Sequence, residues 1–150
     1  YQRNYWTRRK PELSRQNLYY LPKAAAQPII VASALVKPNG IVGNGKYLFA
    51  ADIGDHKTYK YTINKDGSLS EKTLFVRQGS DGMTLDERGN LYLTGNGVTV
   101  YNMDGVKIAY IPVPEKWAAN MCFAGKKRNT LFITAGTSIY ILPMQVRGVK

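Results

Sequence analysis

A single cysteine, Cys122, stands in the 150 residues, which rules out an internal disulfide and any zinc site built from several cysteines. Its apolar neighbours Met121 and Phe123 predict a buried core thiol. Acidic side chains are scarce as well, 10 Asp and Glu against 21 Lys and Arg, for a formal net charge of +11. Helical periodicity is missing throughout, and no apolar stretch approaches the roughly 20 residues that a membrane helix needs.

The basic excess raises nucleic acid as a partner. Tyr1, Arg3, Tyr5, Trp6, Arg8, Arg9 and Lys10 mix the charges and rings that grip phosphates and stack bases. Elsewhere the cations are scattered singly or at turns, as at Lys65, Lys107 and Lys126-Lys127-Arg128. That distribution reads as solvated surface charge, which attracts anions without naming a partner. Neither nucleic acid nor membrane is expected to bind.

What the chain does have is a repeat. Pro38-Asn39-Gly40-Ile41, Ser80-Asp81-Gly82-Met83 and Ala119-Asn120-Met121-Cys122 each open a run of short strands, at a period of about 40 residues. A period of that length marks a β-propeller, one four-stranded blade per repeat. Equivalent residues of successive blades then point into a central channel, so Asn39 and Asp81 are expected to face each other across it.

Strands are predicted at 17–21 and 27–35, then at 40–42, 47–52, 58–63 and 71–77. The next repeat gives 83–86, 90–94, 98–102 and 107–112, and the last gives 121–124, 131–134 and 138–143. Asn-Gly and Asp-Gly pairs at Asn44-Gly45, Asp66-Gly67, Asn96-Gly97 and Asp104-Gly105 supply the positive φ that tight hairpins require. Period-two alternation is weak, as expected of strands packed on both faces.

The fold class is therefore all-β, a partial propeller divided as 1–35 (loop and outer strands), 36–79 and 80–118 (blades) and 119–150 (an incomplete last blade). Propellers need about four blades or more to close. The chain is accordingly read as roughly the last three blades of a longer protein, the remaining blades coming from an N-terminal half or from another chain.

The inner ends of two blades carry an amide, Asn39, and a carboxylate, Asp81. Amide and carboxylate oxygens suit a hard cation such as calcium, which takes six to eight of them. The plainer alternative is that Asn39-Gly40 and Asp81-Gly82 are turn formers.

Several segments resemble the senescence marker protein/gluconolactonase (regucalcin-like) family. They are Lys37-Pro38-Asn39-Gly40, the run from Gly45 to Asp52, Ser80-Asp81-Gly82-Met83-Thr84-Leu85-Asp86 with Gly89-Asn90-Leu91-Tyr92, Ile111-Pro112-Val113-Pro114-Glu115 leading to Asn120, and Leu131 through Gly148. The resemblance implies a six-bladed propeller that hydrolyses sugar lactones by metal-activated water in the central channel. It makes Asn39 and Asp81 metal ligands for a divalent cation, calcium first, with zinc, magnesium or manganese as alternatives. Asp81 would also take the proton of the attacking water, and Asn120 would touch substrate. The glutamate ligand of the family's first blade, and the substrate-holding arginine and asparagine of its second, have no counterpart here, so this chain alone would be an incomplete lactonase.

Lactones are already reactive esters and need no side-chain nucleophile, which agrees with the absence of a Gly-x-Ser-x-Gly step. His56, the single histidine, is read as surface or structural rather than as a base. Asp52 and Asp55 beside it offer oxygens for a second cation, against the plainer reading of a turn. Trp6 and Trp117 either line the channel mouth or pack, and Lys37 stands where it would attract a hydroxylated or anionic substrate. The competing functional class is a non-catalytic propeller fragment acting as a binding or assembly module.

Overall fold

A computed structural model describes residues 16–23 and 27–149. The loop expected up to Arg15, with its basic-aromatic cluster and Trp6, and Ala24 of the following turn lie outside the described residues. The described residues form thirteen strands and no helix: β1 (Gln16–Tyr20), β2 (Ile29–Leu35), β3 (Pro38–Gly43), β4 (Tyr47–Asp52), β5 (Lys57–Ile63), β6 (Leu69–Val76), β7 (Met83–Leu85), β8 (Leu91–Gly95), β9 (Gly97–Tyr101), β10 (Lys107–Ile111), β11 (Ala118–Ala124), β12 (Thr130–Ala135) and β13 (Ser138–Pro143).

Consecutive strands pair antiparallel into four sheets: β1-β2, β3-β4-β5-β6, β7-β8-β9-β10 and β11-β12-β13. The first strands of the last three sheets, β3, β7 and β11, lie side by side. These sheets are the blades that the repeat predicts, with β3, β7 and β11 as their innermost strands.

Hairpin tips repeat one piece of turn chemistry. In Asp86-Glu87-Arg88-Gly89 the Gly89 N–H donates to the Asp86 carbonyl at 2.9 Å, and Asp86 Oδ1 accepts from the Arg88 and Asn90 N–H groups, each at 2.9 Å. In Asn102-Met103-Asp104-Gly105 the Gly105 N–H donates to the Asn102 carbonyl at 3.0 Å. Asn102 Oδ1 likewise accepts from the N–H groups of Asp104 and Val106. The short Asx side chain thus caps its own turn, and glycine takes the left-handed position, φ 81° at Gly89 and 75° at Gly105.

The core lies between sheets rather than within one. Phe49 and Ala51 of β4 pack with Met83, Leu85, Leu91 and Leu93 of the next blade. On the other side Tyr92, Val98 and Val100 pack with Met121, Leu131 and Ile133 of the last. Neighbouring residues of β8 therefore face different cores, Leu91 and Leu93 one way and Tyr92 the other, which is why alternation is weak in the sequence. Each fully buried leucine contributes about 1.5–3 kcal/mol over an exposed one. Burial fades outward, and β10 is mostly exposed.

Cys122 corrects an expectation: it is exposed. Met121 and Phe123 both pack on the Tyr92 core, so the two-residue period of β11 turns Cys122 to the opposite face. On that face Cys122, Phe132 and Ile141 are cross-strand partners, as are Asn120, Thr134 and Ile139. Ile139 and Ile141 are 68% and 61% exposed. This face of the last blade is open among the described residues, apolar at Phe132, Ile139 and Ile141 and polar at Asn120 and Thr134.

Candidate functional site

Asn39 owes its position to a buried carboxylate on the neighbouring strand. Asp52, 1% exposed at the end of β4, accepts from the Val36 and Lys37 N–H groups at 2.7 and 2.8 Å. The Lys37 carbonyl in turn accepts from the Ile53 N–H at 3.0 Å. These bonds fix the entry to β3. Just beyond, the pairing of β3 with β4 slips between Pro38 and Ile41, and a bulge of this kind re-aims the side chains it contains. β3 consequently begins at Pro38, before the predicted residue 40, with Asn39 exposed within it.

Asp81 is held by a hydroxyl pair beneath it. Ser80 and Thr94 are both fully buried. Ser80 Oγ donates to the Gly82 carbonyl at 2.6 Å, while Thr94 Oγ1 accepts from the Gly82 N–H at 2.8 Å. Gly40 N–H donates to the Ser80 carbonyl at 3.3 Å, joining the two blades through backbone. Ser80 and Thr94 escape a reading by sequence alone; the available signal is a threonine inside Leu91-Tyr92-Leu93-Thr94, an otherwise apolar strand.

The result is direct contact. Asn39 Nδ2 donates to Asp81 Oδ1 at 2.6 Å, and Trp117 Nε1 approaches Asp81 Oδ2 at 3.4 Å. Asn39, in β3, and Asp81, in the segment preceding β7, meet as neighbours rather than facing each other over an open channel. Among the described residues no lysine or arginine forms an ion pair with Asp81.

Asn120 lies at the corresponding end of β11, also beside a bulge, between Ala118 and Asn120. It packs on Gly82 so closely that a methyl group at that glycine would come within 2.6 Å of Asn120 Cα. Its Oδ1 accepts from its own strand, the Met121 N–H, at 2.8 Å. The structure therefore brings Asn120 against the backbone that carries Asp81, with no bond to the Asp81 carboxylate.

The remaining candidates have other occupations. Both oxygens of Asp52 are engaged by backbone N–H groups. Asp55 accepts from Lys57 Nζ at 2.8 Å and from the Tyr59 hydroxyl at 2.9 Å. The Lys57 hydrogen bond, then that of Tyr59, lowers the Asp55 carboxyl, and the same Asp55 contact raises the Lys57 ammonium. No three His, Cys, Asp or Glu residues cluster for a metal among the described residues. His56 is exposed in the β4–β5 turn at φ 52°, and Lys37 is exposed.

For a hard cation the donor chemistry at Asn39 and Asp81 is suitable but partial. The pair offers amide and carboxylate oxygens and no softer ligand. Six to eight oxygens are needed for calcium, so further ones must come from outside this pair.

Comparison with known proteins agrees in sequence and in shape. The profile of the SMP-30/gluconolactonase/LRE-like region matches residues 4–137. A gluconolactonase of Zymomonas mobilis is 27% identical, the match covering 73% of this chain and 35% of that protein. A gluconolactonase structure from Xanthomonas campestris superposes with a TM-score of 0.79 at 30% identity, over 90% of this chain and 46% of that one. Regucalcin of Agrobacterium tumefaciens, a calcium-binding protein, shares the fold at a TM-score of 0.75 and 19% identity, over 88% of this chain and 53% of its own. The chain thus spans roughly a third to a half of the relatives it matches. It is part of a β-propeller and belongs to the SMP-30/gluconolactonase/LRE-like family.

Proposed function

We propose that the whole protein hydrolyses a sugar lactone, with Asn39 and Asp81 as two of the ligands of a divalent cation. The observation that carries this is the Asn39–Asp81 contact itself. Two polar side chains from different blades converge at the inner strands, and Asp81 has no cationic side chain neutralising it among the described residues.

When bound, the cation would supply Lewis-acid polarisation of the lactone carbonyl and offset the charge that develops on its oxygen. Asn39 would contribute Oδ1 as ligand, giving up its hydrogen bond to Asp81. Asp81, held from below by Ser80, Gly82 and Thr94, keeps a carboxylate oxygen where it can accept the proton of an attacking water. Asn120, on the same side of Gly82, would hold a substrate hydroxyl. The water oxygen would bond to the carbonyl carbon, the ring C–O bond would break, and the ring oxygen would take the proton that Asp81 accepted, so that the product leaves as a hydroxy acid.

Calcium is the first choice of metal, because amide and carboxylate oxygens are hard donors. Zinc, magnesium and manganese are the alternatives. The remaining ligands would come from the other blades of the propeller. Those blades would also cover the open face formed by Cys122, Phe132 and Ile141.

The test is hydrolysis of a panel of sugar lactones by the full-length protein, with and without a chelator. Activity that disappears with chelator and returns with added divalent metal supports the reading. Absence of hydrolysis across the panel in metal-replete protein sinks it.

A further inference from the structure

We infer that Trp117 is a specificity-determining residue, the aromatic platform against which the ring of the lactone rests; this deepens the lactonase reading and depends on it. Its indole is anchored at one edge and partly exposed. Nε1 approaches Asp81 Oδ2 at 3.4 Å, yet the residue remains 44% exposed.

That exposure does not come from a loose loop. The next residue, Ala118, is fully buried in the core shared with Tyr92 and Met121. Two residues earlier, Glu115 Oε1 accepts from the Ser138 hydroxyl at 3.0 Å, and the Glu115 carboxylate packs on Gly136. A large aromatic side chain is thus presented to solvent from a backbone fixed on both sides, beside the carboxylate assigned to the chemistry. Rigid support of this kind is what a binding group needs to be effective.

The chemistry of the ligand follows from the ring. An indole face is electron-rich and apolar, whereas a sugar lactone presents hydroxyls at its rim and C–H bonds on its ring faces. Stacking a C–H face on Trp117 leaves the rim hydroxyls to polar groups such as Asn120. An acyclic ester has no such face. The platform therefore selects cyclic, hydroxylated lactones over acyclic esters of equal reactivity.

The experiment compares the wild-type full-length protein with Trp117→Ala, Trp117→Leu and Trp117→Phe, using glucono-δ-lactone and 2,2,2-trifluoroethyl acetate, an activated ester without a ring. Stacked rings contribute enough that KM for the lactone is expected to rise about tenfold or more in Trp117→Ala and Trp117→Leu. Trp117→Phe should recover most of the loss, kcat should change less than KM, and trifluoroethyl acetate kinetics should move little. As a readout independent of turnover, 1,5-anhydroglucitol, a cyclic polyol that cannot be hydrolysed, should quench a component of the tryptophan fluorescence that Trp117→Phe lacks. An active wild type whose lactone KM is unchanged in the Ala or Leu variant, or whose fluorescence ignores 1,5-anhydroglucitol, overturns the platform and leaves the lactonase reading intact. A wild type inactive on every lactone overturns both. If Trp117→Ala does not fold, Trp117→Leu and the wild-type fluorescence titration decide.

Discussion

Asn39 and Asp81 are 42 positions apart in the chain and joined by a 2.6 Å hydrogen bond between their side chains. The contact ties the entry of β3 to the segment preceding β7, and so couples the geometry of one blade to the next. An amide N–H on a carboxylate is a charge-assisted bond, and it is the bond that the proposed cation would displace.

Asp81→Asn removes the charge while keeping the shape. Lactone hydrolysis by the full-length protein is expected to fall by about a hundredfold or more in kcat/KM, with circular dichroism unchanged. Retention of more than a third of wild-type activity would show that Asp81 is not part of the chemistry.

Gly82→Ala tests the packing that seats Asn120. The added methyl would lie 2.6 Å from Asn120 Cα and 2.7 Å from its Cγ, too close without displacement. Overpacking of this order costs about 1–3 kcal/mol. Chemical denaturation should show that loss, and lactone KM should rise as Asn120 shifts.

Asp52→Asn tests the carboxylate that holds the β3 entry. It replaces a charged acceptor of the Val36 and Lys37 N–H groups by an amide that presents one oxygen and a donor. Hydrogen bonds to a charged group contribute about 1.5–3 kcal/mol each, and a loss of that order is expected. Hydrogen exchange should quicken at Val36 and Lys37 while β8 stays protected.

Tyr61→Phe addresses pH. The Tyr61 hydroxyl is buried without a hydrogen-bond partner among the described residues, and burial, more than the nearby Tyr59 and Asp52, pushes its pKa up to about 12. An unfolded chain would ionise this phenol near pH 10. Stability is thus fully present below pH 10 and is lost as pH rises from about 10 towards 12, since the unfolded state sheds the proton first. Tyr61→Phe should flatten that alkaline decline in the melting temperature, and at pH 7 it should raise stability by about 1 kcal/mol by removing an unpartnered hydroxyl. Equal alkaline slopes in the two proteins would refute the assignment.

Tyr92→Phe is the contrasting case. Its hydroxyl donates to Asp86 Oδ2 at 3.1 Å, and burial first, then the Asp86 charge, raises the Tyr92 phenol. Removing it leaves a fully buried carboxylate with one donor fewer. A loss of about 1–2 kcal/mol at pH 7 is expected, opposite in sign to Tyr61→Phe and readable in the same denaturation assay.

Much of this fold can be read directly from local chemistry. Asp86 and Asn102, each three residues before a glycine, mark hairpin tips because the side-chain oxygen caps the turn and glycine accepts positive φ at Gly89 and Gly105. Apolar runs such as Leu91-Tyr92-Leu93 mark strands buried on both faces. The period linking Asn39, Asp81 and Asn120 places the three at equivalent ends of β3, at the segment before β7, and of β11. These are properties of residues and their near neighbours, so the order of residues suffices to show them.

Tertiary structure decided everything that depends on which face meets which neighbour. Cys122 has the composition of a core residue around it, yet alternation along β11 sends Met121 and Phe123 to the Tyr92 core and Cys122 to the open side. The bulges at Asn39 and Asn120, the buried Ser80–Thr94 pair and the approach of Trp117 to Asp81 all join segments far apart in the chain. Spacing assigned Asn39 and Asp81 to the inner ends of two blades; the packing of β3 against β7 made them a hydrogen-bonded pair, because contacts between sheets are set by how their side chains interlock and not by local periodicity.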